Sequence, residues 1–589
     1  MALKIDLQPN RNLLDPKFEC YRLTLEPLPV LKKSLKSNIQ KVELHDDQYG
    51  YLHVQMKGLY NALIQDPWDH NTVFCITESY HVIWAHLSQD NFVEPRTVWQ
   101  LPEPKGVEYA CTLGLPHAEW ALLSDGTGIV YILSSPSRTQ GEPWQLCHTY
   151  CPEWNQLSAV LMTSTHCSFP SNQQVECLLG YICRPQDVKG DVTFSETTVH
   201  FVCVLEWLTF SCALVGDNSS WSLKRVRRLM GASVPVYSAF DSLGSYLCMA
   251  SEKEFSFVFD SCKPEVGHEV EDAATKVKEP PAYSFTQTGE KVTVLFKIPE
   301  VLKKKRVKVT FCTTAIEILI DEKPVLKGDF PHAIDGEVEW AVHEKLLTVY
   351  LTKAETGVVW KEVIKGDARG EEVFDPGFVE EVHARLAHLT SSGEAKEMEK
   401  PPYNYQELDE CDDTVESFSF IRLCGESHRA THQVNLSGHQ WLFKVQTSPD
   451  LLPALCLRHD VDGLIWQPKN VATDGDDDSF RIEHVATFHA FGYVQASKQD
   501  RKYELGSPDF SFAAICDSVR HVYLYRQPES LSSSLELRNR KTGKDIFSIA
   551  KQHVVSLEQC DAILGMVTSP QCVFVLSPNT VYAIKVSTS

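Results

Sequence analysis

Short apolar segments that alternate every second residue and meet at tight turns run through most of this 589-residue chain. Val73–Ile76 and Val82–Trp84 flank Thr77-Glu78-Ser79, and Trp120–Leu123 and Ile129–Leu133 flank Ser124-Asp125-Gly126-Thr127-Gly128. Tyr246–Ala250 and Phe255–Phe259 flank Ser251–Glu254. The same grammar returns later, with Phe512–Cys516 and Val522–Tyr525 around Asp517–His521, then Ile563–Val567, Val573–Leu576 and Val581–Val586 in succession. Period two is the signature of strands, and turns of this length make antiparallel hairpins. Both flanks lack long amphipathic helices. The chain is therefore expected to be mainly β, as a β-propeller-like scaffold or a large sandwich.

The Ser124–Gly128 turn ahead of Val130–Leu133 resembles the inner hairpin of WD-repeat-like blades, which favours the propeller. Two stretches break the pattern. Glu265–Pro281 is acidic and ends in Glu279-Pro280-Pro281. Phe378, Val382, Leu386 and Leu389 lie at helical spacing, and polar Ser391–Pro402 follows. These breaks divide the chain into a first scaffold part (1–264), an acidic linker (265–278), an insert (279–368), a short helix with linker (369–402) and a second scaffold part (403–589). If the two flanks close into one propeller, the insert is expected to leave from an exposed loop between blades, where insertions are tolerated.

Inside the insert, Val292, Val294, Phe296 and Ile298 alternate with Lys291, Thr293, Leu295 and Lys297. Val307, Val309 and Phe311 follow, then Ile316, Ile318 and Ile320, then Trp340 and Val342, then Leu347, Val349 and Leu351. With an opening strand at Tyr283, about six short strands predict a compact antiparallel sandwich. Tyr283–Thr288, Glu339-Trp340, Leu347–Lys353 and Trp360 resemble the alpha-crystallin-like CS domain of the NudC family, with Phe285 where that family usually carries Trp. Leu13–Glu19, Cys456–Asp462 and Gly492–Lys498 extend the resemblance over nearly the whole chain.

The resemblance implies protein binding of a co-chaperone kind, with heat-shock chaperone machinery or client proteins as partners. Tyr283, Phe285, Trp340 and Trp360 are expected to be structural aromatics of the CS domain. The basic run Lys303-Lys304-Lys305-Arg306 is the candidate partner contact, since exposed charge tunes association.

Composition narrows the alternatives. A formal net charge of −22 disfavours general nucleic-acid binding unless a local basic patch overrides it. The two candidate patches are Lys303–Arg306 and Lys224-Arg225-Val226-Arg227-Arg228, either of which import machinery could read. Met1–Asn12 has no apolar stretch of a secretory leader, and 19 scattered cysteines without framework spacing read as reduced thiols. Cytoplasm and nucleus are the expected locations. The longest apolar run, Phe201–Gly216, is broken by Glu206 and is shorter than the ~20 residues a bilayer needs, so it reads as buried strands and no membrane is expected.

No catalytic, cofactor or metal residues are expected. Gly126-Thr127-Gly128 is too short for a dinucleotide fingerprint and suffices as a turn. Asp474-Gly475-Asp476-Asp477-Asp478 lacks the glycine and glutamate an EF-hand loop needs, because Ser479 and Val485 stand there. Cys456 and His459 have metal-like spacing, but His484 and His489 would have to arrive by long-range folding. A Cys/His hydrolase would need a thiolate beside a base. The reading is a non-catalytic adaptor or co-chaperone-like protein. Its rivals are an enzyme using the propeller channel and a nucleic-acid-associated factor using the basic runs.

Overall fold

The period-two segments pair into seven four-stranded antiparallel sheets. Blade 1 holds Ile64–Gln65, Thr72–Ile76, His81–Ser88 and Arg96–Gln100. Blade 2 holds Thr112–His117, Trp120–Ser124, Val130–Ser134 and Gln145–Tyr150. Blade 3 is built from long strands, Val160–Phe169, Asn172–Cys183, Val202–Val215 and Asn218–Gly231, with Phe255–Asp260 added at its outer edge. Blade 4 joins Tyr237–Phe240 and Tyr246–Ser251 to Ser419–Cys424 and Ala430–Asn435. Blade 5 holds Gln440–Val445, Ala454–His459, Asp462–Asn470 and Phe480–Phe488. Blade 6 holds Arg501–Gly506, Phe512–Asp517, His521–Ser530 and Ser548–Ser556. Blade 7 holds Gly565–Thr568, Cys572–Leu576 and Thr580–Lys585, and its outermost strand is Val30–Ser34 from the start of the chain.

This computed structural model describes residues 2–586, except 189–199, 264–282, 298–305, 373–417, 471–479, 531–536, 539–544 and interruptions of five residues or fewer. The expected linker Glu265–Pro281, the helix around Phe378–Leu389, the linker Ser391–Pro402 and the acidic loop Asp474–Asp478 lie outside the described residues. The chain divides into two units, Met1–Gly267 with Tyr403–Ser589, and His268–Pro402.

In the larger unit the blades close into a ring, because inward-facing side chains of each sheet pack on the next. Phe74 and Trp84 meet Leu123 and Tyr131 between blades 1 and 2. Leu122, Leu178, Trp207 and Leu247 form one core across blades 2, 3 and 4. Tyr237 and Phe420 meet Leu457 and Trp466 between blades 4 and 5. Phe443 and Phe488 meet Ile515 and Tyr525, and Phe512 and Leu524 meet Met566 and Val573. Phe574 and Ala583 of blade 7 return to Val73 and Cys75 of blade 1. Each of these cores draws on the flanks alone. The run Phe201–Gly216 lies largely in the third strand of blade 3, and no described helix is long and apolar enough to cross a membrane.

The point of insertion differs from the expectation of a loop between blades. Leu247 pairs with Leu423 and Met249 with Ile421, so the second and third strands of blade 4 come from opposite sides of the insert. In sequence the insert therefore interrupts a blade, and the last strand ahead of it, Phe255–Asp260, is the one added at the outer edge of blade 3. Backbone pairing fixes this, since the Tyr246–Ser251 edge would otherwise leave its N–H and C=O groups unpaired.

The N-terminal segment forms a belt. Leu3–Ile5 runs parallel to Ala430–Asn435 of blade 4, and Tyr21–Leu23 runs parallel to Ser548–Ser556 of blade 6. Between them, the Asn10 N–H donates to Nδ1 of His484 in blade 5 at 3.0 Å. Val30–Ser34 then pairs antiparallel with Thr580–Lys585.

The smaller unit is a sandwich. One sheet contains Glu339–His343, Leu346–Thr352, Lys291–Lys297, Tyr283–Gln287 and Gly370–Glu372 in that order, and the other contains Val307–Phe311, Ala315–Ile320 and Lys323–Asp329. Val292, Val294 and Phe296 of the first sheet and Ile316, Ile318 and Leu326 of the second supply its core. Two of these strands, Lys323–Asp329 and Gly370–Glu372, go beyond the six expected, and the last lies past residue 368.

Candidate interaction interface

The sandwich holds its aromatic anchors unequally. Tyr283, Phe285 and Trp360 are all at most 2% exposed, whereas Trp340 is only partly buried and packs on the margin of the core. Phe285 fills the first-strand position within the core without an indole, so the departure from Trp leaves the packing closed. Trp360 is held by a clamp that the sequence did not advertise. The Gln287 side chain exchanges two hydrogen bonds with the Trp360 backbone, at 2.8 and 2.9 Å. The nearly buried Lys353 ammonium donates to Gln287 Oε1, Thr288 O and Val358 O at 2.9, 2.9 and 2.6 Å. A buried ammonium is tolerated only when its donors are satisfied, and here the acceptors fix the loop that carries Trp360.

Of the candidate contact run, Lys303, Lys304 and Lys305 lie outside the described residues. Arg306 is exposed and pairs with exposed Asp321, Nε to Oδ1 at 2.6 Å, beside a backbone hydrogen bond from Asp321 N–H to Arg306 O. The Asp321 carboxyl is correspondingly held below its ordinary pKa by the Arg306 hydrogen bond. Exposed Lys308 and Lys327 extend this basic character onto the three-stranded sheet, where Lys327 pairs with Glu317 at 2.8 Å.

The other basic run has a different fate. Lys224 is exposed, but Arg225, Arg227 and Arg228 are buried in blade 3, so they present no basic patch in the folded chain. Arg228 sits opposite Glu206 on the neighbouring strand and donates to it at 2.8 Å. Arg227 stacks on Trp207, 3.8 Å from its ring centre, and donates to Thr209 Oγ1 at 2.6 Å. Trp207 Nε1 and Thr209 Oγ1 both donate to Glu176 Oε2, at 2.5 and 2.7 Å. Arg225 donates to Asp260 and Glu426, and His428 Nε2 lies 2.7 Å from Asp260 Oδ2. Burial raises the Asp260 pKa, but hydrogen bonds from Arg225, the Cys262 amide and His428 outweigh it and bring it to about 2. Glu206 was legible as the break in an apolar run; its pairing with Arg228 on the next strand was not.

The remaining motif residues have structural duties. Asp125 Oδ1 accepts from the Thr127 N–H and hydroxyl, both at 2.8 Å, and Gly126 and Gly128 take positive φ of 84° and 92°. A Cβ on Gly126 would meet Tyr109 O at 2.0 Å, so the turn requires glycine there. Cys456 is buried and burial raises its thiol pKa. His484 uses Nδ1 on Asn10 and Nε2 on Ala486 O, which removes it from any ligand set with Cys456. Among the described residues no group of three His, Cys, Asp or Glu side chains is arranged to hold a metal, and no disulfide forms.

A family model, the CS domain, matches residues 281–353. A NudC domain-containing protein 1 from Xenopus laevis is 36% identical over 595 residues, covering 99% of this chain and 99% of its own. Its counterpart from Mus musculus is 34% identical over 598 residues, covering 100% and 99%. Among solved structures, a nuclear movement protein from E. cuniculi GB-M1 matches 14% of this chain and 98% of its own at 17% identity and TM-score 0.13. The WD40 domain of SCAP from fission yeast matches 94% and 98% at 10% identity and TM-score 0.28.

Proposed function

The chain belongs to the family of NudC domain-containing protein 1, and from that membership we propose that it is a non-catalytic adaptor of the co-chaperone kind, acting through its CS domain. The CS domain implies protein–protein interaction. One observation carries the finer reading: the propeller closes on cores drawn wholly from the flanks, and the CS sandwich keeps a complete core of its own. A module that neither completes nor is completed by its host's core is free to serve recognition, with rigid surfaces and exposed loops doing the binding. The chaperone machinery or its clients are the partners this reading names. Exposed basic side chains around Arg306 are the contact, and the buried aromatics support the fold beneath them.

Cytoplasmic residence follows from the same reading, because thiols such as Cys177, Cys203 and Cys456 are buried with raised pKa values and suit a reducing compartment. Import into the nucleus would rest on Lys303–Arg306, since the arginines of the other run are engaged inside blade 3. Affinity capture with the intact chain, set against a chain in which 268–402 is replaced by a flexible linker, tests the proposal. Partners retained equally by both chains would transfer recognition to the propeller and sink the CS-based reading.

A further inference from the structure

The first strands of the blades surround a cavity of about 380 Å³ at the middle of the ring. Leu113, Leu161, Met162 and Val236, from blades 2, 3 and 4, make much of its wall, and Met56 reaches it from the helix Tyr51–Gly58. The polar groups on this wall share one character. Lys444 contributes an ammonium. Tyr60, Thr112 and Ser238 contribute hydroxyls, and Thr112 Oγ1 already accepts the Leu161 N–H at 2.8 Å, so its proton remains to be given. The Asn61 amide is spent on the backbone of Leu63 and Met566. Among the described residues, no aspartate, glutamate or histidine lines the cavity.

Lys444 stands on the innermost strand of blade 5, between buried Phe443 and Val445, and points the other way by the alternation of the strand. It is exposed and lines the cavity, where the surrounding protein lowers its pKa by desolvation and no carboxylate acts against that effect. Among the described residues its ammonium has no hydrogen bond or ion pair. A desolvated cation without a counter-ion in a largely apolar enclosure is an unsatisfied group, and an anion entering there gains both the charge pair and the apolar contact.

We propose that the channel is a binding site for a small amphiphilic anion, an unbranched apolar chain ending in one carboxylate. The carboxylate pairs with Lys444, and the chain lies against Leu113, Leu161 and Met162. A single cation fits a monoanion; phosphate groups are usually met by several cations or a bidentate arginine. The volume falls within the range of small-molecule sites.

Isothermal calorimetry of the full chain with decanoate, below its micelle concentration, tests this. One saturable site per chain is expected. Lys444→Met should weaken it by roughly tenfold or more, the loss of one charged hydrogen-bonded pair, and decan-1-ol should bind the unaltered chain correspondingly less well than decanoate. Absence of saturable binding, or equal binding by folded Lys444→Met, overturns the proposal. Should that variant fail to fold, a diazirine-bearing decanoate photolabel on the unaltered chain decides. Adducts mapped to 56–64, 112–113, 160–162 or 235–238 support the site, and adducts confined to other peptides overturn it.

Discussion

Lys224–Arg228 and Lys303–Arg306 look alike as text, two short basic runs in an acidic chain, yet the structure uses the arginines of the first and Arg306 of the second in opposite ways. The first is a strand whose arginines each meet a carboxylate from a neighbouring strand or loop: Arg225 with Asp260, Arg227 with Glu176 and Arg228 with Glu206. Of the second, Arg306 meets a solvent-exposed Asp321. The difference teaches that a basic run is informative only with its acids. Arginine's planar fork suits enclosed carboxylates, while lysine, strongly hydrated, stays at the surface unless clamped as Lys353 is. Buried pairs are costly to break, and surface pairs contribute little.

The largest expected effect breaks the buried run. Arg228→Met leaves Glu206 enclosed without its cation and should cost about 3–5 kcal/mol in the unfolding of the propeller, read by urea denaturation. Adding Glu206→Leu should recover most of that loss; a double variant no more stable than the single one would show that the cost was never electrostatic.

A parallel contrast in the sandwich should give nearly as large an effect. Trp360→Ala, at a position 0% exposed, should cost about 3–5 kcal/mol, whereas Trp340→Ala, at the margin of the core, should cost roughly half as much. Thermal melts of the two variants side by side separate these outcomes.

Acid titration sharpens the comparison further. Asp260 is depressed from 3.8 to about 2, so its contribution to stability is complete above the unfolded value and is lost as pH falls through the folded one. Allowing for solvent screening, about 1–2 kcal/mol should disappear between roughly pH 4 and pH 2. Asp260→Asn should flatten that part of the stability curve, and an unchanged curve would remove Asp260 as its source.

The smallest effect on stability belongs to exposed Arg306. Arg306→Glu should move the melting midpoint by no more than the equivalent of about 0.5 kcal/mol. If the run is the contact face, the same change should slow partner association and reduce its salt dependence in surface plasmon resonance.

Much of this architecture was legible because period-two alternation is local. The hairpins Trp120–Leu133 and Phe512–Tyr525, and the strands Lys291–Lys297 and Leu346–Thr352, declare themselves within ten or fifteen residues. What escaped depends on distant partners. Leu3–Ile5 and Tyr21–Leu23 are three residues each and become strands only by pairing with residues beyond 430. Lys323–Asp329 carries Lys, Pro and Gly in place of strand formers, and its neighbour Ala315–Ile320 draws it into the sheet. The split of blade 4 is set by a register between residues 247 and 423, which no window of sequence spans. At the candidate site, the aromatics could be listed from the sequence, but the division between buried Trp360 and marginal Trp340, and the Lys353 clamp, follow from three-dimensional packing.

The belt along blades 4 to 7 sets an order on the birth of the molecule. Leu3–Ile5, Tyr21–Leu23 and Val30–Ser34 are translated hundreds of residues ahead of the strands they pair with, Ala430–Asn435, Ser548–Ser556 and Thr580–Lys585. At ~5–20 residues per second, the opening segment waits roughly half a minute or more for its partners. Throughout that interval its edges are unpaired and Ile5, Leu7 and Tyr21, which pack on the blade cores once the ring forms, have nothing to lie against. Closing the ring therefore waits on Thr580–Lys585, and until those residues are made the strands already built keep open edges on which another chain could pair.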